Sequence, residues 1–226
     1  MFFDFGGVVL TSPFEAFERH ERDNGLPVGF IRSVNTVNPD TNAWARMERG
    51  EVGIDGFITL FEQEAEALGH HVDGRSVIDM LAGKVRPEMV EAIRRIKATG
   101  LVTACLTNNF KNRDRSAHPE GSRTESEEDE VRGVLAMFDH MVESSVVGVR
   151  KPEPAFFRKA VEMAGVDPHR TVYLDDLGIN LKPARAMGMT TIKVADPTAA
   201  LTELQALLGI ALVDGWVVGG SDASAR

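Results

Sequence analysis

The sequence predicts an α/β fold: a Rossmann-like, doubly wound parallel sheet with a helical cap inserted after its first strand. Three observations carry the prediction. From Pro87 onward, short apolar and β-branched runs alternate with amphipathic helical stretches, as strands joined by crossover helices do. Leu101–Leu106 is a continuous rather than an alternating apolar run, which suits a parallel strand covered on both faces. Between Pro13 and Val85 the pattern is helical and carries no strand signal. The implied division is a core of residues 1–12 and 86–226 and a helical cap of residues 13–85.

Taken in order, Met1–Val9 reads as a short apolar strand broken by Asp4 and the pair Gly6-Gly7. An acid and two glycines weaken a buried strand, and their presence marks a site. The abrupt start predicts either a very short first strand or a native start upstream. Helical segments follow around Phe14–Asp23, Pro27–Val34, Ala43–Glu48, Ile54–Leu68 and Ser76–Leu81, with glycines between some of them. Pro87–Thr99 is an amphipathic helix with proline in its first turn and Gly100 after its end. Leu101–Leu106 is the next strand. Lys111–Arg132 is polar and acidic, its first half predicted as a flexible insertion. Val142–Val149 contains a β-branched stretch, and Pro154–Ala164 is helical. Thr171–Leu174 and Thr190–Val194 are strands around a helix at Leu181–Met187, and Ala199–Leu208 is the last helix. The tail from Gly219 onward is predicted to be disordered.

Composition narrows the function. The chain has 226 residues and a formal charge of -9, which disfavours nucleic acid as a partner. That charge does not disfavour a small phosphorylated ligand, for which one local positive site suffices. A single cysteine, Cys105, allows no internal disulfide and fits a reducing cytoplasm. No apolar run approaches the roughly 20 residues that span a bilayer, and Asp4 interrupts any signal-peptide pattern.

The chemistry sits at the strand ends. Open parallel sheets bind ligands outside the carboxyl ends of their strands. Three such ends here carry Asp4, Thr107-Asn108-Asn109 and Asp175-Asp176, and parallel strands bring them to one edge. Lys151 lies in Arg150-Lys151-Pro152-Glu153-Pro154, just before a helix. Three carboxylates converging at one edge repel one another unless a cation sits among them, and hard oxygen ligands suit Mg2+. A lysine and a hydroxyl alongside would bind the rest of a phosphoryl group. One aspartate is then free to attack phosphorus and form an aspartyl-phosphate.

Four segments resemble the motifs of the haloacid dehalogenase-like superfamily: Asp4-Phe5-Gly6-Gly7-Val8-Val9, Leu106-Thr107-Asn108, Lys151-Pro152-Glu153-Pro154 and Leu174-Asp175-Asp176-Leu177-Gly178-Ile179-Asn180. The stretch from Asp175 to Met189 is similar to the amino-terminal phosphatase domain of soluble epoxide hydrolase and to the related domain fused to some acyl-CoA dehydrogenases. The resemblance implies a phosphatase-type hydrolase acting on a small phosphorylated metabolite. It implies that Asp4 is the nucleophile, and that Asp4, the Gly6 carbonyl and Asp176 hold Mg2+. It further implies that Thr107, Asn108 and Lys151 bind the phosphoryl group, Lys151 also neutralising the nucleophile. Asp175 would act through water or in a second shell, and Asn180 would orient Asp175 or Lys151. One position departs from the pattern. Most phosphatases of the superfamily carry a second Asp two residues after the nucleophile, where this chain has Gly6. That substitution keeps two alternatives open: a metal-independent haloacid dehalogenase, and a non-catalytic domain that binds a phosphorylated ligand.

Other features read as structural. Trp44, Arg46 and Arg49 would form an ordinary cap helix, with one buried aromatic and solvated arginines, or else face the substrate. His70-His71 has no acid at ligand spacing and reads as an exposed loop, and Cys105 as inert core.

Overall fold

A computed structural model of the chain describes residues 1–110 and 124–213. Five strands, β1 (Phe2–Phe3), β2 (Ala104–Thr107), β3 (His140–Glu143), β4 (Val172–Asp175) and β5 (Thr190–Lys193), form one sheet in the order β3-β2-β1-β4-β5. Every neighbouring pair is parallel. The chain builds outward from β1 through β2 to β3, then returns to the other side of β1 for β4 and β5. The direction of winding therefore reverses at β1 and β4, and a crevice for ligands opens at such a reversal.

Strand alternation explains why both faces are covered. Phe3, Cys105, Leu174 and Ile192 point into one apolar cluster, and Phe2, Ala104, Leu106 and Tyr173 into another. Residues i and i+1 of a strand face opposite sides, so the inner strands β1, β2 and β4 bury residues on both faces, while the edge strands β3 and β5 keep polar positions. The first face is closed by α6 (Pro87–Ala98), α7 (Glu125–Leu135) and α11 (Pro197–Leu208) through Ile93, Val134 and Leu204. The second is closed by α9 (Pro154–Ala164) and α10 (Gly178–Ala186) through Phe157 and Leu181. These helices start where the sequence offers caps. Pro87 and Pro154 occupy first turns, Thr124 and Glu127 form a capping box on α7, and Asp196 accepts from the Ala199 N–H at 2.8 Å on α11.

The predicted helical segment comprises α1 (Phe14–Asp23), α2 (Phe30–Thr36), α3 (Ala43–Glu48), α4 (Ile54–Ala67) and α5 (Gly74–Asp79). It has its own apolar cluster, in which Trp44 stands edge-on to Phe57 at 4.8 Å between ring centroids. The chain leaves and re-enters the sheet layer through paired segments. Leu10 bridges Val85, Thr11 N–H donates to the Lys84 carbonyl at 2.8 Å, and Arg86 N–H to the Val9 carbonyl at 2.9 Å. Among the described residues, no helix is long and apolar enough to cross a membrane.

Several boundaries differ from those predicted. β1 ends after two residues because Asp4 leads into a wide turn, closed by the Leu10 N–H on the Phe5 carbonyl at 2.8 Å. β2 starts at Ala104, since Leu101 and Val102 are exposed before the sheet begins. β3 precedes the β-branched run, whose Ser144–Val147 forms a helical turn, α8. The second half of the acidic segment is helix from Glu125, while its first half and the tail lie outside the described residues.

Candidate active site

The reversal point gathers the predicted residues. Asp4 follows β1 and its backbone N–H continues the sheet, donating to the Leu174 carbonyl at 2.8 Å. Asp175 ends β4 and Asp176 follows it. Asp4, Asp175 and Asp176 each offer a carboxylate oxygen, and these oxygens all lie within 4.8 Å of one another. Lys151, on the turn before α9, extends beneath them with its ammonium buried.

The hydrogen bonds divide these groups into the committed and the available. The three Lys151 Nζ protons point to Asp4 Oδ1 at 2.7 Å, Asp175 Oδ2 at 3.1 Å and the Leu106 carbonyl at 3.0 Å. Asp175 is saturated. Its Oδ1 accepts from Leu177 N–H at 2.8 Å and Asn180 Nδ2 at 3.1 Å, and its Oδ2 accepts from Lys151, Asn180 and the Tyr173 hydroxyl. Asp4 Oδ1 accepts from Lys151 and from Phe5 N–H at 2.6 Å. Asp4 Oδ2 accepts no hydrogen bond among the described residues and belongs to a residue lining the adjoining cavity.

Asp176 owes its place to a glycine. Gly7 has φ +83, a conformation L side chains avoid, and a Cβ there would stand 2.3 Å from Asp176 Oδ2. Gly6 is different. Its φ of -72 is ordinary, and a Cβ there would meet nothing within 4 Å. The position of the missing second Asp is therefore open space.

One ammonium faces three carboxylates, and the titration of the site reflects that imbalance. Burial pushes the Asp4 carboxyl well above its usual range; Lys151 opposes this, and Asp175 and Asp176 add to it. Burial and then the Asp175 charge push Asp176 up to about 6. Burial alone would favour neutral Lys151, but Asp175 and Asp4 outweigh it and hold the ammonium protonated. A donor set of hard carboxylate oxygens with surplus negative charge fits a hard divalent cation.

Thr107 and Asn108 reach the same edge, but not in the same way. Among the described residues, the Thr107 hydroxyl makes only a long contact, 3.4 Å to the Asn108 carbonyl. The Asn108 side chain is fully occupied: Oδ1 accepts from Lys151 N–H at 2.9 Å, and Nδ2 donates to the Lys151 carbonyl at 3.0 Å and to Glu48 Oε2 at 3.1 Å. The Asn108 side chain is thus committed within the protein. Glu48 comes from α3, is paired with Arg150 and lines the cavity. Burial raises its carboxyl, with Arg150 opposing.

The cavity measures about 490 Å³ and lies between this edge and the helical segment, where Phe14, Phe17, Trp44, Met47, Ile78 and Leu81 line it. Of the three candidates in and just after α3, Trp44 contributes to its wall. Arg46 and Arg49 instead pair with Glu51, and Arg49 also with Glu153 at 3.3 Å. His71 is exposed and His70 packs edge-on to Phe30. Cys105 is buried, and burial raises its thiol pKa, which keeps it unreactive. Sequence reasoning missed Glu48, Arg150 and Tyr173. For Glu48 a signal existed: it lies four residues after Trp44, on the same helical face.

Residues 1–188 match the haloacid dehalogenase-like hydrolases, and the chain belongs to that family. Acyl-CoA dehydrogenase family member 10 of Mus musculus is 34% identical over 215 residues, covering 93% of this chain and 19% of that protein. Bifunctional epoxide hydrolase 2 of Sus scrofa is 31% identical over 222 residues, covering 93% of this chain and 39% of that protein. The chain thus spans well under half the length of either relative. Sesquiterpene phosphatase astK of Aspergillus oryzae is 24% identical over 214 residues, covering 92% of this chain and 95% of that protein.

Proposed function

We propose that this chain is a magnesium-dependent phosphatase that acts on a small phosphorylated metabolite with an apolar body, through an aspartyl-phosphate on Asp4. One observation carries the reading. Asp4, which lines the cavity, has one oxygen pinned by Phe5 N–H and Lys151, while the other accepts no hydrogen bond among the described residues, as a nucleophile requires.

Asp4 Oδ2 attacks phosphorus as the bond to the leaving oxygen breaks. Lys151 holds Asp4 in line and keeps a positive charge beside the phosphoryl oxygens, although its three protons are already committed within the protein. The Thr107 hydroxyl and the Asn108 backbone N–H serve the phosphoryl oxygens. Asp4, the Gly6 carbonyl and Asp176 would hold magnesium, which supplies positive charge against the phosphoryl oxygens when bound. Asp175 takes no part as a ligand; it is held by Asn180, Tyr173 and Leu177 and in turn holds Lys151. With Gly6 at the acid position, the leaving oxygen takes its proton from water. Water then attacks the phosphoryl-aspartate, releasing phosphate and restoring Asp4. The helical segment of residues 13–85 acts as a cap that keeps bulk water from the site. The aromatic and aliphatic lining of the cavity suits an apolar substrate body, in keeping with the substrate class for which the Aspergillus relative is named.

Gly6 favours a second reading, in which the chain releases halide without metal or binds a phosphorylated ligand without turnover. The test is hydrolysis of p-nitrophenyl phosphate with magnesium and with EDTA, for the wild type and Asp4→Asn. Activity that needs both magnesium and Asp4 supports the phosphatase. Metal-independent halide release from a 2-haloacid, or phosphate binding with no hydrolysis of any phosphate ester, sinks it.

A further inference from the structure

Glu48 ties the helical segment to the strand edge and loop that carry Asn108, Arg150 and Lys151. We propose that Glu48 is a positioning residue of that edge: it locks the Asn108 carboxamide and Arg150, and through them the loop that carries Lys151. The inference rests on the phosphatase reading for its effect on turnover, but not for its effect on the loop.

The geometry is a closed set of bonds. Glu48 Oε2 accepts from both Arg150 Nε and Asn108 Nδ2, the latter at 3.1 Å. Asn108 then clamps the backbone of Lys151 from both sides, with N–H to Oδ1 at 2.9 Å and Nδ2 to carbonyl at 3.0 Å. Arg150, one residue before Lys151, also donates to the Pro39 carbonyl of the helical segment at 3.0 Å. Side chains of the pair are largely buried, at 13% and 16% exposure, so the bonds are charge-assisted and weakly screened. Oε1 accepts nothing among the described residues, and the residue lines the cavity. Removing Glu48 frees one Asn108 proton and one side of Arg150, and so loosens the clamp on Lys151. Lys151 has no slack to absorb that movement, since its ammonium bonds Asp4, Asp175 and the Leu106 carbonyl at once. The helical segment therefore sets the position of the nucleophile's partner as well as the wall of the cavity.

The test uses Glu48→Ala and the near-isosteric Glu48→Gln in the full chain, with two readouts. The first is amide hydrogen exchange of the 148–153 segment. The Lys151 amide is expected to exchange at least about tenfold faster in Glu48→Ala, while β4 and α10 keep wild-type protection. The second is turnover of p-nitrophenyl phosphate with magnesium. A small misplacement of the loop predicts a fall in kcat of up to about a hundredfold in Glu48→Ala, with KM changed much less. Glu48→Gln, which keeps an acceptor for Asn108, recovers most of both losses. Unchanged Lys151 exchange in Glu48→Ala, or a loss in KM alone, overturns the proposal. Faster exchange of the 148–153 segment in a chain whose wild type shows no Asp4-dependent turnover would support the positioning role and count against the phosphatase reading instead.

Discussion

The vacancy at Gly6 makes a quantitative prediction. Gly6→Asp adds a carboxylate where the backbone is already in a conformation open to any residue and where a Cβ meets nothing within 4 Å. The variant should therefore fold, with a stability change within about 1 kcal/mol, the restriction of the unfolded chain partly offsetting added repulsion near Asp4 and Asp176. The chemistry should change far more. A general acid that protonates the leaving oxygen and then activates water is worth about 10²- to 10⁴-fold, or roughly 3–5 kcal/mol off the barrier. That gain depends on the leaving group. An alkoxide needs the proton, whereas the acetate released from acetyl phosphate does not. The assay compares kcat/KM for an alkyl phosphate and for acetyl phosphate, in both proteins, with magnesium. The expected result is a rise of about a hundredfold or more on the alkyl phosphate and a change of only a few fold on acetyl phosphate. A folded, magnesium-binding variant with no gain on the alkyl ester, or with equal gains on both, would refute the reasoning. So would a wild type that already hydrolyses both at equal rates.

The neighbouring glycine should behave in the opposite way. Gly7→Ala forces a side chain into φ +83 and onto Asp176, at a cost of about 1–2 kcal/mol from the backbone alone, and thermal unfolding should show it together with weakened magnesium binding. Asp176 should also give the metal-free protein a specific pH dependence. Its folded pKa of about 6 lies above its ordinary 3.8, so the fold holds a proton that the unfolded chain has released; its contribution is favourable below pH 4 and is lost as pH rises to about 6. The difference is at most about 3 kcal/mol, and the stability of Asp176→Asn should lack that component, while magnesium should raise the wild-type Tm more at pH 7.5 than at pH 5. Tyr173→Phe removes one donor from buried Asp175 and should cost about 1.5–3 kcal/mol in denaturant unfolding, with β1 and β4 still paired; a change below 0.5 kcal/mol, on the order of a surface substitution, would show that the hydroxyl is dispensable.

Much of the architecture was legible because the signals were local. Pro87, Pro154, Gly100 and Gly188 mark helix ends by backbone chemistry, and the α1, α3 and α9 spans agree with the patterns read from residues. The strand ends carrying Asp4, Thr107 and Asp175 could be placed at one edge because parallel strands admit no other arrangement. What escaped was set by tertiary contact. β1 has only two residues, too few for any pattern, and is a strand because Phe2 and Phe3 are buried on opposite faces between β2 and β4. The pairing of Glu48 with Arg150 escaped as well, because it joins positions 102 residues apart. Nothing local shows that Lys151 occupies the Asn108 side chain from both sides.

The division of labour among the three acids follows from the same bonds. Three carboxylates, two buried and one half-buried, around one ammonium are unfavourable for the metal-free fold. The structure relieves the strain unequally. Asp175 receives Lys151, Asn180, Tyr173 and the Leu177 N–H, so its charge is compensated in place and adds rigidity. Asp4 and Asp176 receive less, and both are pushed toward the protonated form. Uncompensated charge is thus confined to the two residues that face the cavity. A bound cation would relieve those two and leave Asp175 unchanged. Stability given up by the metal-free protein at Asp4 and Asp176 would be recovered on binding a cation, so affinity for it and tension in the empty fold would have one origin.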